Sequence, residues 1–516
     1  MSQLKKGYSN SKPTWKARVE PVCGDNPFVP ISNAARVGFV IYFVFWRILP
    51  ELAVALQFGT QAGNIVVARL SVRVLTDILL LLPFLLNRFV GTPIGWLHPL
   101  VLPTLLVIAK GIVTNPLVLT TAVTAWLTPS IIPDYDILEG LSLKDCLSVE
   151  LKRDSLLLLA QICYLLGFAL FTRKVQRSVA QGPFRIVQWR FFVVTSFCFG
   201  AFFLFIEMNN GLVAHFSRLA YGRFLMSENA GHFLVIIGLL PYLLVLWYAA
   251  RPRILRQPWF IALFVAALFT QFATTGSRSS LIVPAVLVLA TWMLINHRIP
   301  ALRVALLGFF VIFIFGLLGK LRGSSLYNAG VVDIELMTEF NLQSAADSTT
   351  KDRARLNEVS GQIAVMHAVP DSVPHLYGTS YVSALAFFVP RTIWPNKPRG
   401  GGAHVGAMIY SEMSSTSDYT GAGYPLGGAA EAYWNFGVPG VMLVYVLFGL
   451  LRRIVTDSFL RRPGDPFRAL VLLVSMTVLV DASSDSIVKF LQVLALIYLS
   501  WLFVRRSGAM PAERLQ

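Results

Sequence analysis

By length alone, the 516 residues would allow two or three soluble domains, but 55% of them are hydrophobic, only 14% are charged and the mean hydropathy is +0.63. Soluble globular chains carry about 25% charged residues, so this composition excludes a disordered chain, a disulfide scaffold and an ordinary soluble enzyme, and describes a polytopic membrane protein. Lys and Arg number 44 against 27 Asp and Glu, a net charge of +17; in a membrane chain the positive-inside bias accounts for such an excess, with no need for nucleic acid as a partner.

A crossing takes about 20 mainly apolar residues. A polar, basic tail, 1–35, comes first and is read as cytoplasmic. Because the first apolar run begins only after this tail, it reads as a retained helix, not a cleaved leader. Apolar segments follow at 36–56 and 66–86. The stretch 94–131 is also apolar but is interrupted by Pro99, Pro103, Pro116 and Pro129, and is read as one crossing plus a re-entrant or interfacial piece. Further crossings are expected at 154–172, 191–208, 232–250, 258–275, 279–296 and 302–319, which completes an N-terminal membrane region, 36–319. The one long hydrophilic stretch is 320–425. A C-terminal membrane region, 426–504, carries crossings at 434–451, 468–481 and 487–504 and ends in the tail 505–516. The expected fold is an all-α integral membrane protein of about twelve transmembrane helices, with one large external loop that contains short helices.

Basic residues cluster in the tail, in 173–190, around Arg251, Arg253 and Arg256, at Arg298 and Arg303, in 452–468 (including Arg452 and Arg453) and after Arg505. All these segments can lie on one side, which the positive-inside rule makes the cytoplasm. Both termini are then cytoplasmic and 320–425 is external. The cysteines Cys23, Cys146, Cys163 and Cys198 have neither metal-site nor disulfide spacing. His98, His215, His232, His297, His367, His375 and His404 show no zinc-type spacing. No metal and no cofactor are expected. No internal repeat marks a transporter.

The external segment contains Tyr381, Phe387, Phe388, Trp394 and Tyr424, enough aromatic surface to fold. From Ser372 to Ser411 it has no Asp or Glu, yet it carries His375, Arg391, Lys397, Arg399 and His404. A basic strip free of carboxylates beside a membrane suits an anionic ligand such as a lipid-linked phosphate; contact with ordinary anionic headgroups is the alternative. The strip reads FFVPRTIWPNKPRGGGAH. Its prolines stiffen the backbone, and its glycines allow a turn or a close approach. Arg278 lies in the tight outer turn TTGSRSSL, either as a charge at a site's mouth or as a snorkelling anchor. Arg218 and Arg223 sit in another outer connection as loop donors. Arg353 and Arg355 precede an amphipathic pattern at Leu356, Val359, Ile363 and Met366, where a solvated face is an equal alternative.

The return to the membrane reads GAGYPLGGAAEAYWNFGVPGV. Glu431 at its outer mouth could act as a general base or as a helix-start carboxylate favoured by the dipole. Tyr433 and Trp434 could stack on sugar or belong to the interfacial aromatic belt. Within the helices, Arg73 and Asp77, and Asp485 and Lys489, have the i,i+4 spacing of intrahelical pairs.

TGSRSS before a crossing, the long loop with FFVPRTIWPNKP, and GGAAEAYWNFGVPG at the return together resemble bacterial oligosaccharide repeat-unit polymerases of the O-antigen polymerase group. The motif match covers roughly 270–445; the N-terminal helices agree only in hydropathy. The resemblance implies a metal-independent GT-C type glycosyltransferase of the inner membrane, working on the periplasmic face. It would transfer a growing glycan from undecaprenyl pyrophosphate to a hydroxyl of the next lipid-linked repeat unit, toward O-antigen or exopolysaccharide. The implied partners are those lipid-linked oligosaccharides, the bilayer, a chain-length regulator and a flippase. Arg278 matches the turn arginine and Arg391 that of the strip, with Lys397, Arg399, Arg218, Arg223, Arg353 and Arg355 as further pyrophosphate-binding candidates. Glu431 matches the carboxylate of the return motif. His404 or His367 would take the base role if the chain follows the related ligases, and Trp394, Tyr433 and Trp434 are the sugar-stacking candidates. The alternatives are an O-antigen ligase, with lipid A core as acceptor, and a flippase or exporter of lipid-linked sugars.

Overall fold

The computed structural model describes residues 27–114, 141–170, 187–212, 214–215, 231–275, 279–304, 306, 308, 358–386, 389, 393–398, 400–402, 404–406 and 425–505. Its elements are α1 (Asn33–Phe43), which runs through a π turn (Val44–Ile48) into α2 (Leu49–Ala62), then α3 (Asn64–Leu85), a two-stranded hairpin of β1 (Arg88–Phe89) and β2 (Thr92–Pro93), α4 (Leu102–Thr114), α5 (Leu143–Leu170), α6 (Gln188–Met208), α7 (Gly231–Ala250), α8 (Pro258–Thr275), α9 (Ser279–Asn296), α10 (Glu358–Ala368), α11 (Thr379–Leu385), α12 (Gly428–Arg461), α13 (Pro466–Thr477) and α14 (Ser484–Val504). Among the described residues, six helices are long and apolar enough to cross a membrane: α5, α6, the Phe233–Ala250 part of α7, α8, α12 and α14. The protein is an all-α membrane protein.

The helices form a bundle with two chemically different ends. At one end Val187 N–H donates to Val504 O (3.2 Å), Arg190 to Phe503 O (2.8 Å) and Arg453 to Val90 O (3.1 Å), and the rings of Phe28 and Phe459 lie 5.5 Å apart. These contacts gather several of the basic segments at one end. At the other end Lys152 donates to the carbonyls of Met366 (2.9 Å) and Val369 (3.1 Å). It closes the C-terminus of α10, where a cation meets the negative end of the helix dipole.

The central packing is α5 against α12. Gly167 and Gly449 face each other's helix so closely that a Cβ on Gly167 would overlap the Val446 carbonyl, and one on Gly449 the Tyr164 carbonyl. Small residues that let backbones approach are the ordinary device of helix association in lipid. Beside this crossing runs a buried ionic ladder. Arg69 reaches Glu150 (2.5 Å) and Asp154 (3.5 Å), Arg73 reaches Asp154 (2.7 Å) and Glu51, and Arg153 reaches Asp154 (2.6 Å). It replaces the intrahelical pairs expected from spacing. Asp77 binds Arg47 (3.0 Å) instead of Arg73, and among the described residues no ion pair joins Asp485 to Lys489, both of which are exposed. A charge in hydrocarbon needs a partner wherever the packing supplies one, and here neighbouring helices supply better ones.

Two segment boundaries also differ from expectation. α12 continues to Arg461, so Arg452 and Arg453 are buried helix residues, not part of a basic loop. α13 has only 12 residues, a rise of about 18 Å against a hydrocarbon core of about 30 Å. It is a half-helix. Arg452 completes it by donating to Ser475 Oγ (3.3 Å) and to the Leu479 carbonyl beyond its last turn.

Gly167→Leu and Gly449→Leu should each be poorly tolerated, because the obstruction is backbone and cannot rotate away. A loss of about 1–3 kcal/mol or more is expected for such overpacking, read as a fall in the melting temperature of the detergent-solubilised protein. Gly200→Leu, where nothing lies within 4 Å, is the matched control.

Candidate functional site

The site grows from the sequence Tyr433-Trp434-Asn435-Phe436-Gly437-Val438-Pro439. In an uninterrupted helix the Asn435 carbonyl would accept from residue 439, but proline has no N–H to give. The backbone departs from helix at Phe436 (φ −140°, ψ 15°) and Gly437 (φ 67°, ψ −155°), the latter in a region that favours glycine. The break frees the carbonyls of Trp434 and Asn435, and buried carbonyls must be satisfied elsewhere. Residues 375–377 satisfy them: Leu376 N–H and His375 Nδ1 donate to Trp434 O, both at 3.0 Å, and Tyr377 N–H donates to Asn435 O at 3.1 Å.

Side chains extend this docking. Asn435, fully buried, accepts from Gly378 N–H (2.9 Å) and donates to Ser380 Oγ (2.9 Å) and Glu431 O (2.8 Å). Trp434 Nε1 donates to Pro374 O (3.1 Å), the Tyr433 hydroxyl donates to Val369 O (3.4 Å), and Lys152 Nζ lies 4.8 Å over the Tyr433 ring. Tyr433 and Trp434 are both buried. In this arrangement their rings hold the loop down and offer no open face to a sugar.

One turn earlier, two helix N-termini exchange caps. Glu431 Oε2 accepts from Ser484 N–H at the start of α14 (2.9 Å), and Asp481 Oδ2 accepts from Gly428 N–H at the start of α12 (3.0 Å). Asp481 Oδ1 also takes the hydroxyls of Ser483 (2.7 Å) and Ser486 (2.6 Å). Carboxylates there satisfy orphan amides and match the positive dipole ends. Glu431 is only 2% exposed, with the Ser380 and Ser484 hydroxyls beside it. Its Oε1 makes no hydrogen bond of ordinary geometry among the described residues. Gly401 of the proline- and glycine-rich strip lies against that oxygen: a Cβ there would come within 2.8 Å of it. Only a glycine leaves room for anything between strip and carboxylate. Tyr381 on α11 closes the group and donates to Ala482 O (3.5 Å). Burial, and then the nearness of Glu431, pushes its phenol well above the usual range, so it stays protonated.

The fold thus brings the strip and the return motif together around Glu431. Trp394 is partly exposed at 39% and Lys397 is half-buried, its Nζ donating to Val389 O (3.4 Å). The His404 ring lies edge-on to Trp434 at 6.0 Å. His367 is exposed on the last turn of α10. Arg218, Arg223, Arg278, Arg353, Arg355, Arg391 and Arg399 lie outside the described residues. Among the described residues no three His, Cys, Asp or Glu side chains form a metal-holding group. Lys152, Asn435 and Asp481 were not singled out as site residues by sequence. The spacing of Asn435 four before Pro439 was a legible signal, as was the serine-rich cap DASSDS. The chain matches no protein-family model, no curated protein and no solved structure.

Asn435→Ala should leave Gly378 N–H and Ser380 Oγ without their partner, at a cost of about 1–3 kcal/mol. Because the lost bonds belong to the docking of 374–380, limited proteolysis should cut this segment faster, while helical content by circular dichroism stays unchanged.

Proposed function

We propose that the chain is a multi-pass glycosyltransferase of the bacterial inner membrane that polymerises undecaprenyl-pyrophosphate-linked oligosaccharide repeat units on the periplasmic face, toward O-antigen or exopolysaccharide. The reading includes about twelve crossings, cytoplasmic termini and an external 320–425. The observation that carries it is the approach of the strip's glycine end to the buried Glu431 carboxylate. The resemblance pairs the same two motifs in one active site.

In this reaction an acceptor sugar hydroxyl attacks the anomeric carbon of the growing glycan. The new C–O bond forms as the bond from that carbon to pyrophosphate breaks, and the polyprenyl pyrophosphate leaves with the electron pair. Glu431 takes the hydroxyl proton, a task suited to a buried carboxylate beside the strip. Its other oxygen is held by Ser484 N–H, which fixes its direction. Arg278 and Arg391 meet the charge that develops on the leaving pyrophosphate, so no divalent cation is required.

The ligase reading draws on one observation, the seating of His404 against Trp434 inside the same cluster. Glycan analysis of a deletion strain separates the readings. Loss of the ladder with one capped repeat unit marks a polymerase, absence of any attached repeat marks a ligase, and lipid-linked units trapped in the cytoplasm mark a flippase.

Two further outcomes are expected. Cysteines introduced at Ser372 and Arg251 should differ in reactivity toward a membrane-impermeant thiol reagent on intact spheroplasts. The first should label and the second only after permeabilisation; the reverse order would invert the topology. In proteoliposomes supplied with lipid-linked repeat units and EDTA, the native protein should still make polymer. Glu431→Gln, Arg278→Ala and Arg391→Ala should each slow it by about a hundredfold or more, the usual consequence of losing a general base or a contact of about 3 kcal/mol in the transition state. Polymer that needs added Mg²⁺ or Mn²⁺ would reject the metal-free reaction, and full activity of Glu431→Gln would leave Glu431 as a helix cap alone.

A further inference from the structure

The turn 478–483, between α13 and α14, touches α12 on both sides of its break at Phe436 and Gly437. On the C-terminal side of the break, Arg452 donates through its two Nη atoms to Ser475 Oγ (3.3 Å) and to Leu479 O. Its guanidinium lies 5.1 Å over the Phe448 ring, and the residue is buried. On the N-terminal side, Gly428 N–H donates to Asp481 Oδ2 (3.0 Å), and Ser484 N–H, just past the turn, donates to Glu431 Oε2 (2.9 Å). The fit there is tight: a Cβ on Gly428 would come within 2.8 Å of the Ala482 backbone. The turn itself is stiffened by Asp481 Oδ1, which accepts from Ser483 N–H (3.3 Å) and from the hydroxyls of Ser483 (2.7 Å) and Ser486 (2.6 Å). The carbonyl that Arg452 takes and the amide that holds Glu431 therefore belong to one short, stiff stretch, 479–484.

Where a helix loses its hydrogen-bond ladder at a kink, the angle between its halves is set by what joins them from outside. Gly440 packs on the Ala432 carbonyl inside the bend, but this contact has no direction. The turn supplies directed bonds to both halves. A guanidinium is costly at membrane depth, and its planar fork lets one side chain hold two acceptors four residues apart, where a lysine would hold one. We propose that Arg452 is a positioning residue for Glu431: by fixing the turn 478–483 to the C-terminal half of α12, it sets the N-terminal half across the break and keeps the Glu431 carboxylate against Gly401 of the strip. The consequence for catalysis rests on the glycosyl-transfer reading; the bridge across the break does not.

Two measurements on the full chain in proteoliposomes test this. In the first, nitroxides on cysteines introduced at Tyr377 and Ile454, both exposed, report the distance between the segment docked on Trp434 and Asn435 and the C-terminal half of α12. Cys23→Ser removes one competing thiol, and the other three cysteines are buried. The parent should give one narrow distance distribution, Arg452→Gln a broad one, and Arg452→Lys one in between. In the second, with lipid-linked repeat units as substrate, Arg452→Gln should lower kcat about tenfold or more at unchanged KM, the usual effect of a misplaced reacting group, and Arg452→Lys should recover part of the loss. On a Glu431→Gln background Arg452→Gln should cause no further loss, because it acts through Glu431; an independent destabilising effect would multiply. Arg452→Lys, which keeps the buried charge, carries the same comparisons if Arg452→Gln does not fold. A narrow, parent-like distribution in these variants would overturn the bridge. A broad distribution with native kcat, or losses that multiply, would overturn the positioning role. Absence of polymer from the native protein would instead reject the glycosyl-transfer reading, and the distance distribution would then decide the bridge alone.

Discussion

The break in α12 at Phe436–Pro439 is the constraint from which the end of the bundle around Glu431 follows. A proline without an N–H and a glycine at positive φ remove two hydrogen bonds from the N-terminal part of α12, just after the buried run Ala429–Asn435. In a water-poor setting each freed carbonyl costs on the order of a kcal/mol or more unless it finds a donor. The donors come from 375–377, nearly sixty residues earlier in the chain. A backbone defect in one helix is in this way converted into a docking point for the segment 374–380. Asn435, Trp434 and Tyr433 then add side-chain bonds along the same line, and α11 and the strip are carried to Glu431.

A second interruption matches the first. α13 stops after 12 residues, and the chain turns through 478–483 before α14 begins. Irregular backbone at membrane depth survives only where protein satisfies it. Here Arg452 takes the carbonyl of Leu479, while Asp481 caps both its own turn and the start of α12. Glu431 in return caps α14. The two interruptions therefore complete each other, and the carboxylate proposed as general base is held by the same bond that closes α14. A side chain with one oxygen fixed in this way keeps the other pointed at the strip, which is the kind of preorganisation a general base needs.

The opposite end is organised by charge. Arg453 reaches across to the hairpin turn, Arg36 holds Asn87, and Arg190 caps the end of α14. The basic excess of the chain thus has a structural use as well. Several of its members tie loops to helix ends.

Much of this was legible in the sequence because hydropathy is a local sum. Any stretch of about 20 apolar residues must leave water whatever its neighbours do, so the membrane character, the helical class and several of the long apolar helices follow from composition along the chain. Glu431 and the glycine-rich strip were also legible as candidates, because proline, glycine and a lone carboxylate at a membrane boundary carry chemistry independent of context. What the tertiary structure decided is pairing. Arg73 and Asp77 sit at ideal intrahelical spacing, yet each binds a residue on another element, because the energy of a buried ion depends on which charges the packing brings within reach. The half-length of α13, the burial of Tyr433 and Trp434, and the exchange of caps between α12 and α14 are settled in the same way. Each depends on a contact between segments 20 to 80 residues apart, and no local pattern encodes that contact.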